Sequence, residues 1–98
     1  MNFTRPLATG VRIVVDTDEN RPFDRYAVML QVRVEKGWKT IRLFDNAHGQ
    51  HDLHGYTGFE KQPATRFKQG TPQEVMPAAI DHLVDHWEAI IRTWRAPR

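Results

Sequence analysis

Hydrophobic and polar residues alternate most clearly over residues 25–35. The apolar side of this pattern carries Val28, Leu30, Val32 and Val34, and the residues between them point the other way. A period of two over such a length is typical of a β-strand that buries one of its faces. The sequence therefore predicts a half-buried strand over this stretch.

A hairpin and a returning strand are predicted next. Lys36 and Gly37 fit a two-residue loop, because glycine tolerates the positive φ that tight hairpin turns require. Residues 38–45 then form the returning strand, with Ile41 and Leu43 on one side. Strict alternation puts a second group on the other side, namely Trp38, Thr40, Arg42 and Phe44. Since both sides carry apolar groups, we expect a central strand that is covered on both faces.

The other predicted strands are shorter. Residues 11–16 are rich in valine and isoleucine, which favours a strand. Residues 53–60 predict a further strand that is weakened by two glycines, and residues 65–69 predict a short edge strand. The result is an antiparallel sheet of about four strands.

A long helix is predicted at the C-terminal end of the chain. Thr71 is placed as the N-cap, Pro72 at the first helical position and Glu74 three residues after the cap, which together predict a capping box. Pro77 predicts a kink or a new start, and Pro97 predicts that residues 95–98 end the helix. Three- and four-residue steps give one apolar stripe, consisting of Met76, Ile80, Leu83, Val84, Trp87, Ile90, Ile91 and Trp94. The predicted fold is a single α+β domain over residues 1–98, with the sheet packed by this helix.

Composition and charge exclude several classes of protein. The chain has 98 residues, a formal charge of +2 and no cysteine. The charge permits an anionic partner without requiring one, and the lack of cysteine excludes disulfide scaffolds, thiolate zinc sites and cysteine nucleophiles. No signal peptide and no membrane-spanning segment are recognisable, so we expect a cytoplasmic protein that does not contact a membrane.

Titratable residues are concentrated in the segment FDNAHGQHDLHGY, residues 44–56. Three of the five histidines of the chain lie here, at His48, His51 and His54. Aspartate, asparagine and glycine are also typical of ordinary solvated turns. A surface turn, a metal site, an acid/base catalyst and a nucleic-acid contact are all compatible with this composition.

A metal site is one of these alternatives. The histidines are spaced by three residues, and Asp45 and Asp52 could supply oxygen ligands. No recognised zinc signature is present in the spacing, so the sequence does not predict a metal or any other cofactor.

Acid/base chemistry is the alternative that the residue types favour. Histidine titrates near neutral pH, so one neutral and one protonated imidazole can serve as base and acid in the cleavage of RNA without a metal. A cation must then stabilise the charged phosphorane, and Tyr56 could donate a hydrogen bond or stack on a base. The candidate cations are Arg42, Lys61, Arg66 and Lys68.

The same segment resembles the TumE-like group of small toxins from type II toxin–antitoxin systems. The resemblance rests on Phe44, Asp45, Asn46, Gly49, His51 and His54, within residues 41–60. Phe44 departs from the pattern, because that family has a tyrosine there. The resemblance implies an endoribonuclease that acts on RNA and is neutralised by a protein antitoxin.

From these observations we predict a small endoribonuclease. His51 and His54 are the predicted acid/base pair, with His48 as a further catalytic candidate, and Asp45 is predicted to orient or charge-tune one imidazole. The predicted substrate-binding residues are Arg42, Tyr56, Arg66 and Lys68.

Two other functions remain open at this stage. The first is an interaction or inhibitor protein that uses the histidine-rich loop as a binding surface, with Trp38 as an exposed hot spot. The second is a metal-binding regulator. On the helix, His82 is expected to face water and His86 to lie at the margin of the apolar stripe. Pairing of a sheet edge would give a homodimer.

Overall fold

The computed structural model describes residues 1–96 and confirms an α+β fold. Seven strands form one antiparallel sheet, in which β1 to β6 are neighbours in chain order and β7 pairs with β5. The prediction of about four strands is therefore too low. The elements are β1 (Asn2–Ala8), β2 (Val11–Thr17), β3 (Tyr26–Val34), β4 (Gly37–Asp45), β5 (Asp52–Thr57), β6 (Glu60–Lys61), β7 (Thr65–Arg66) and α1 (Pro72–Arg95).

The strands that sequence patterns miss or misplace are weakly apolar or very short. β1 pairs along β2, but six of its seven residues are exposed and Leu7 alone is partly buried, so the strand leaves no alternating pattern. The predicted strand 53–60 divides into β5 and β6 at a turn in which Gly58 has a φ of 61°. The loop between β3 and β4 consists of Glu35 and Lys36, one residue earlier than predicted.

A β-bulge in β4 changes which side chains face the helix. Leu30 of β3 lies opposite Arg42, whereas the next residue of β3, Gln31, lies opposite Thr40, so Ile41 is the extra residue. A single extra residue shifts the alternation by one position. As a result Arg42 and Phe44 face the opposite side of the sheet from Trp38, in contrast to the prediction.

The helix begins as predicted. The Glu74 amide donates to the Thr71 hydroxyl at 3.3 Å, and the Thr71 amide donates to the Glu74 carboxylate at 3.0 Å, which completes the capping box. The helix continues through Pro77, so it does not begin anew there. Pro97, on which the predicted end depends, lies outside the described residues.

The helix covers one face of the sheet. The core between them is fully apolar at its centre and includes Ile13, Leu30, Phe44, Val75 and Leu83. On the other face, Val14, Met29 and Leu43 form a row of partly exposed side chains. We call this side the uncovered face. No helix among residues 1–96 is both long and apolar enough to cross a membrane.

Candidate functional site

Two aspartates and one histidine lie together on the uncovered face. Asp45 of β4 pairs directly with Asp52 of β5, and His54 follows two residues later on the same side of β5. The nearest ligating atoms of the three side chains all lie within 4.8 Å of one another. The neighbours Phe44 and Leu53 pack into the core on the other side. We call Asp45, Asp52 and His54 the DDH cluster.

The imidazole of His54 is buried and fixed in orientation. Its side chain is only 8% exposed, and Nδ1 donates to the backbone carbonyl of Gln62 at 3.0 Å. Because a carbonyl can only accept, the proton of the neutral ring belongs on Nδ1. Nε2 has no partner among residues 1–96, so it is the ring nitrogen that remains available to the DDH cluster.

The carboxylates of the cluster have almost no compensating partners. Asp52 is 8% exposed, and no donor or cation within the described part of the chain bonds its carboxylate. Asp45 accepts a single long contact, from the Ala47 amide at 3.4 Å. Burial, together with the charges of Asp45 and Asp52, raises the pKa of Tyr26 to about 12. Burial and the charge of Asp45 also raise the pKa of Tyr56.

His51 lies on the other side of this part of the chain and has a different role. Its Nδ1 lies 2.7 Å from the Tyr26 hydroxyl, and its Nε2 lies 2.8 Å from the Gly70 carbonyl. The ring also stacks on Tyr26, with 5.7 Å between centroids. Both nitrogens are therefore occupied, and alternation along the chain directs His51 away from His54. The structure does not bring the predicted acid/base pair together.

The remaining predicted residues are dispersed. His48 is exposed in the turn before β5, away from the DDH cluster. Arg42 faces the helix because of the bulge, and its buried Nε lacks a partner among residues 1–96. Arg66 lies opposite Asp52 in register, but its Nε donates to Gln50 at 2.9 Å. Arg66 and Lys68 line a shallow cleft beside His51 rather than the cluster.

Tyr56 connects the DDH cluster to an aromatic groove on the same sheet. It lies two residues beyond His54, on the same side of β5, and lines the groove together with Trp38, Lys39 and Phe59. Two residues of a strand span about 7 Å. The groove and the cluster are therefore adjacent.

Cations contact the aromatic rings of this groove. The Arg12 guanidinium lies 3.9 Å from the centre of the Trp38 ring, and the Lys39 ammonium lies 3.5 Å from the centre of the Phe59 ring. Lys39 is 7% exposed, and burial lowers its pKa. Phe59, by contrast, is 84% exposed. We call Arg12, Trp38, Lys39, Tyr56 and Phe59 the aromatic groove.

Arg12, Lys39 and Phe59 were not predicted as site residues. Arg12 and Lys39 are single cations within ordinary strands, and Phe59 follows a glycine in what was predicted to be a continuous strand. A Gly-Phe pair is compatible with a turn that presents an aromatic ring. For Arg12 and Lys39 the sequence contains no comparable signal.

The helix histidines also differ from expectation. His82 is only partly exposed, because its ring packs against Phe44 and Phe67 at 5.6 and 5.7 Å between centroids. His86 is exposed and lies 4.5 Å from His82 between ring centroids. Burial lowers the pKa of His82, and the nearby His86 and Arg42 lower it further. His82 is therefore a packing residue of the helix–sheet interface.

Comparison with known proteins gives a family without an assigned activity. No curated protein and no solved structure matches the chain. The family model described as "Domain of unknown function (DUF7718)" matches residues 1–97, which is nearly the whole chain. The chain belongs to the DUF7718 family.

Proposed function

We propose that this protein is a small endoribonuclease whose reaction centre is the DDH cluster. The observation that carries the proposal is the state of His54: a buried imidazole, fixed through Nδ1, with an unbonded Nε2 and a ring nitrogen within 4.8 Å of two carboxylates on an uncovered face. A lone pair in this position can take a proton from a substrate hydroxyl or coordinate a cation. His54 therefore keeps its proposed catalytic role, with Asp45 beside it.

The aromatic groove supports single-stranded RNA as the substrate. Bases stack on exposed aromatic rings, and arginine and lysine neutralise the phosphates between them. Trp38, Tyr56 and Phe59 offer such rings, while Arg12 and Lys39 supply positive charge next to them. An RNA strand bound in the groove would pass Tyr56 and reach His54 about two residue positions further along β5.

Cleavage of end-labelled single-stranded RNA by the purified, tag-free protein tests the proposal. We expect the wild type and the His48→Ala variant to cleave, because His48 is exposed and outside the cluster. The His54→Ala variant should be slower by about 100-fold or more, which is the usual loss when a general acid or base is removed. Intact RNA with the wild type, with and without divalent cations, would contradict the proposal, and so would an equal rate for His54→Ala.

The biological setting is proposed from the resemblance to TumE-like toxins. In that setting the protein is a cytoplasmic toxin, RNA is its target and a cognate antitoxin protein is its partner. Induced expression in a bacterial host should then arrest growth and fragment RNA, and the His54→Ala variant should do neither. Healthy growth with wild-type protein present at high level would contradict the toxin assignment.

A protein-binding module is the second candidate. It is favoured by one observation, the 84% exposure of Phe59 at the rim of the groove. Exposed aromatic side chains are frequent interaction hot spots. Such a module should lose its activity in Phe59→Ala and Trp38→Ala variants and retain it in His54→Ala, whereas the endoribonuclease should lose activity in His54→Ala.

A further inference from the structure

The donor atoms of the DDH cluster lie close to one another. Two carboxylate oxygens and one imidazole nitrogen lie within 4.8 Å of one another. Bonds from such atoms to divalent cations are about 2.0–2.6 Å long. Small side-chain rotations would therefore bring all three atoms to bonding distance of a single ion.

The lack of partners for two largely buried side chains is a second, independent indication of a cation site. Asp52 and His54 are each 8% exposed, and within residues 1–96 neither the Asp52 carboxylate nor His54 Nε2 has a hydrogen-bond partner. Their polar atoms still reach solvent, because Arg42 Nε is the only fully buried polar side-chain atom without a partner among these residues. The second carboxylate beside Asp52 adds repulsion that a cation would relieve. The nearest cation in register, Arg66, donates instead to Gln50. The cluster thus lacks positive charge.

The orientation of His54 also fits a ligand. Metal-bound histidines usually donate their second ring N–H to a backbone carbonyl or a carboxylate, which fixes the ring and its protonation. The Nδ1 contact of His54 with the Gln62 carbonyl is such a contact. It leaves Nε2 unbonded and available to a cation. Because one lone pair cannot hold a cation and accept a proton at once, His54 would act in the metal-bound protein as a ligand and not as the general base.

We propose that Asp45, Asp52 and His54 bind one divalent transition cation of the Mn²⁺ or Zn²⁺ class. Mixed carboxylate and imidazole donors suit these ions, and the lack of sulfur disfavours Cu⁺. Three protein ligands would leave further coordination positions for water or a phosphate oxygen, which could reach them from the uncovered face.

Other histidines of the described chain do not form an equivalent site. The two nitrogens of His51 are already bonded. His82 lies close to His86, but its ring is packed against two phenylalanines and the charge of Arg42 acts on it. A nearby positive charge opposes cation binding. The DDH cluster is the better site because its neighbouring charges are negative.

A cation at this position would also resolve an electrostatic difficulty of the proposed function. Two uncompensated carboxylates repel an approaching phosphodiester, whereas a bound divalent cation attracts it. This role in cleavage rests on the proposed function. Binding of the metal itself does not, because it can be measured without RNA.

Titration of metal-free, tag-free protein with Mn²⁺, followed by calorimetry and by electron paramagnetic resonance, tests the site. We expect one ion per chain for the wild type. The Asp52→Asn variant replaces a carboxylate by a neutral amide and should bind Mn²⁺ about 100-fold or more weakly than the wild type. The matched control is Asp81→Asn, which neutralises an exposed aspartate of the helix and should bind as the wild type does.

Thermal unfolding separates loss of the site from loss of the fold. When the free Mn²⁺ concentration is about 100 times Kd, the thermal unfolding midpoint of the wild type should rise by roughly 10 °C. Without metal, Asp52→Asn should melt at or above the wild-type temperature, because it removes repulsion from Asp45. Asp45→Asn provides a second variant should Asp52→Asn fail to fold.

Two outcomes overturn the inference: no Mn²⁺ binding to the wild type at millimolar concentration, and equal binding by wild type, Asp52→Asn and Asp81→Asn. A protein that binds Mn²⁺ at the cluster but leaves RNA intact would overturn the proposed function and keep the metal site. RNA cleavage that persists in metal-free protein, with no Mn²⁺ binding, would overturn the metal site and keep the proposed function.

Discussion

At the scale of single residues, two histidines three positions apart have opposite environments. His51 donates to or accepts from a partner at each ring nitrogen, whereas His54 leaves Nε2 unbonded. The difference follows from strand alternation, which directs His51 toward Tyr26 and His54 toward the uncovered face. Identical residue types in one short segment therefore have separate roles, one in stability and one in the proposed chemistry.

Substitution of each histidine should separate these roles. His51→Ala should lower the free energy of unfolding by about 2 kcal/mol, because it removes two hydrogen bonds and leaves the buried Tyr26 hydroxyl without a partner. His54→Ala should cost about 1 kcal/mol, the usual value for one hydrogen bond. Urea unfolding measures both, and a larger loss for His54→Ala than for His51→Ala would contradict the assignment.

Tyr26 should make the protein sensitive to alkaline pH. Its folded-state pKa is about 12, above the ordinary value of 10.0, so the folded state holds the phenolic proton more tightly. The resulting stability is fully present below pH 10 and is lost as pH rises from 10 to 12, with an upper limit of about 2.7 kcal/mol. Tyr26→Phe should show a shallower loss over this window in urea unfolding. An identical slope in both proteins would contradict the prediction.

At the scale of secondary-structure elements, the bulge in β4 decides what the helix packs against. It directs Arg42 and Phe44 toward the helix and leaves Trp38 on the uncovered face. His82 of the helix packs on Phe44 and Phe67, and Arg42 acts on it electrostatically. The helix–sheet interface therefore contains a histidine whose pKa folding lowers.

Acidic pH should destabilise this interface. Burial, His86 and Arg42 hold the pKa of His82 below its ordinary value of 6.5, while Asp85 opposes the shift. The unfolded chain thus takes up a proton first, and stability is lost as pH falls from about 6.5 toward the folded-state pKa. His82→Phe keeps an aromatic ring in place and should remove this loss. Thermal unfolding midpoints of the wild type and of His82→Phe between pH 5 and 7 measure this loss of stability. Midpoints that fall equally with pH in the two proteins would contradict the prediction.

The elements that the sequence predicts well are those with a strong local signal. Alternation in β3 and the capping box of α1 are visible in the residues themselves, and both are confirmed. β1 is held mainly by pairing with β2, so no apolar pattern marks it. The bulge at Ile41 depends on how two strands pair, which the alternation of one strand does not reveal.

The candidate site was predictable only in part, because its geometry also depends on how strands pair. Asp45 and His54 were identified from their residue types, and Asp52 was considered as an oxygen ligand. Their convergence depends on the register of β4 against β5, where Asp45 meets Asp52. The separation of His51 from His54 depends on where β5 begins. Neither can be read from spacing within one segment.

At the scale of the whole molecule, the helix covers one face of the sheet and leaves the other available. The uncovered face carries Trp38 and Tyr56 of the aromatic groove toward one end of β5 and the DDH cluster toward the other, whereas Lys39 lies opposite the core residue Val32. Positive charge and aromatic rings thus lie beside a cluster of negative charge. This polarity suits a nucleic acid that is held in the groove and reacts at a cation-bearing cluster.

Binding of single-stranded RNA should depend on the groove. Trp38→Ala should weaken binding by about tenfold or more, since each lost base–aromatic stack costs about 1–3 kcal/mol. Phe3→Ala is the matched control, because Phe3 is an exposed aromatic residue whose strand partner, Val15, lies in the core on the helix side. Fluorescence anisotropy with catalytically impaired His54→Ala protein measures affinity without cleavage. Equal losses for Trp38→Ala and Phe3→Ala would contradict a specific groove.

The DDH cluster as reaction centre is best tested by a single-turnover cleavage assay on labelled single-stranded RNA, using metal-free, tag-free protein to which Mn²⁺ is then added. We expect cleavage by the wild type to begin on addition of Mn²⁺, with a loss of about 100-fold or more in Asp52→Asn and none in Asp81→Asn. Uncleaved RNA in every reaction, or equal cleavage by Asp52→Asn and the wild type, would contradict the claim that the DDH cluster is the reaction centre.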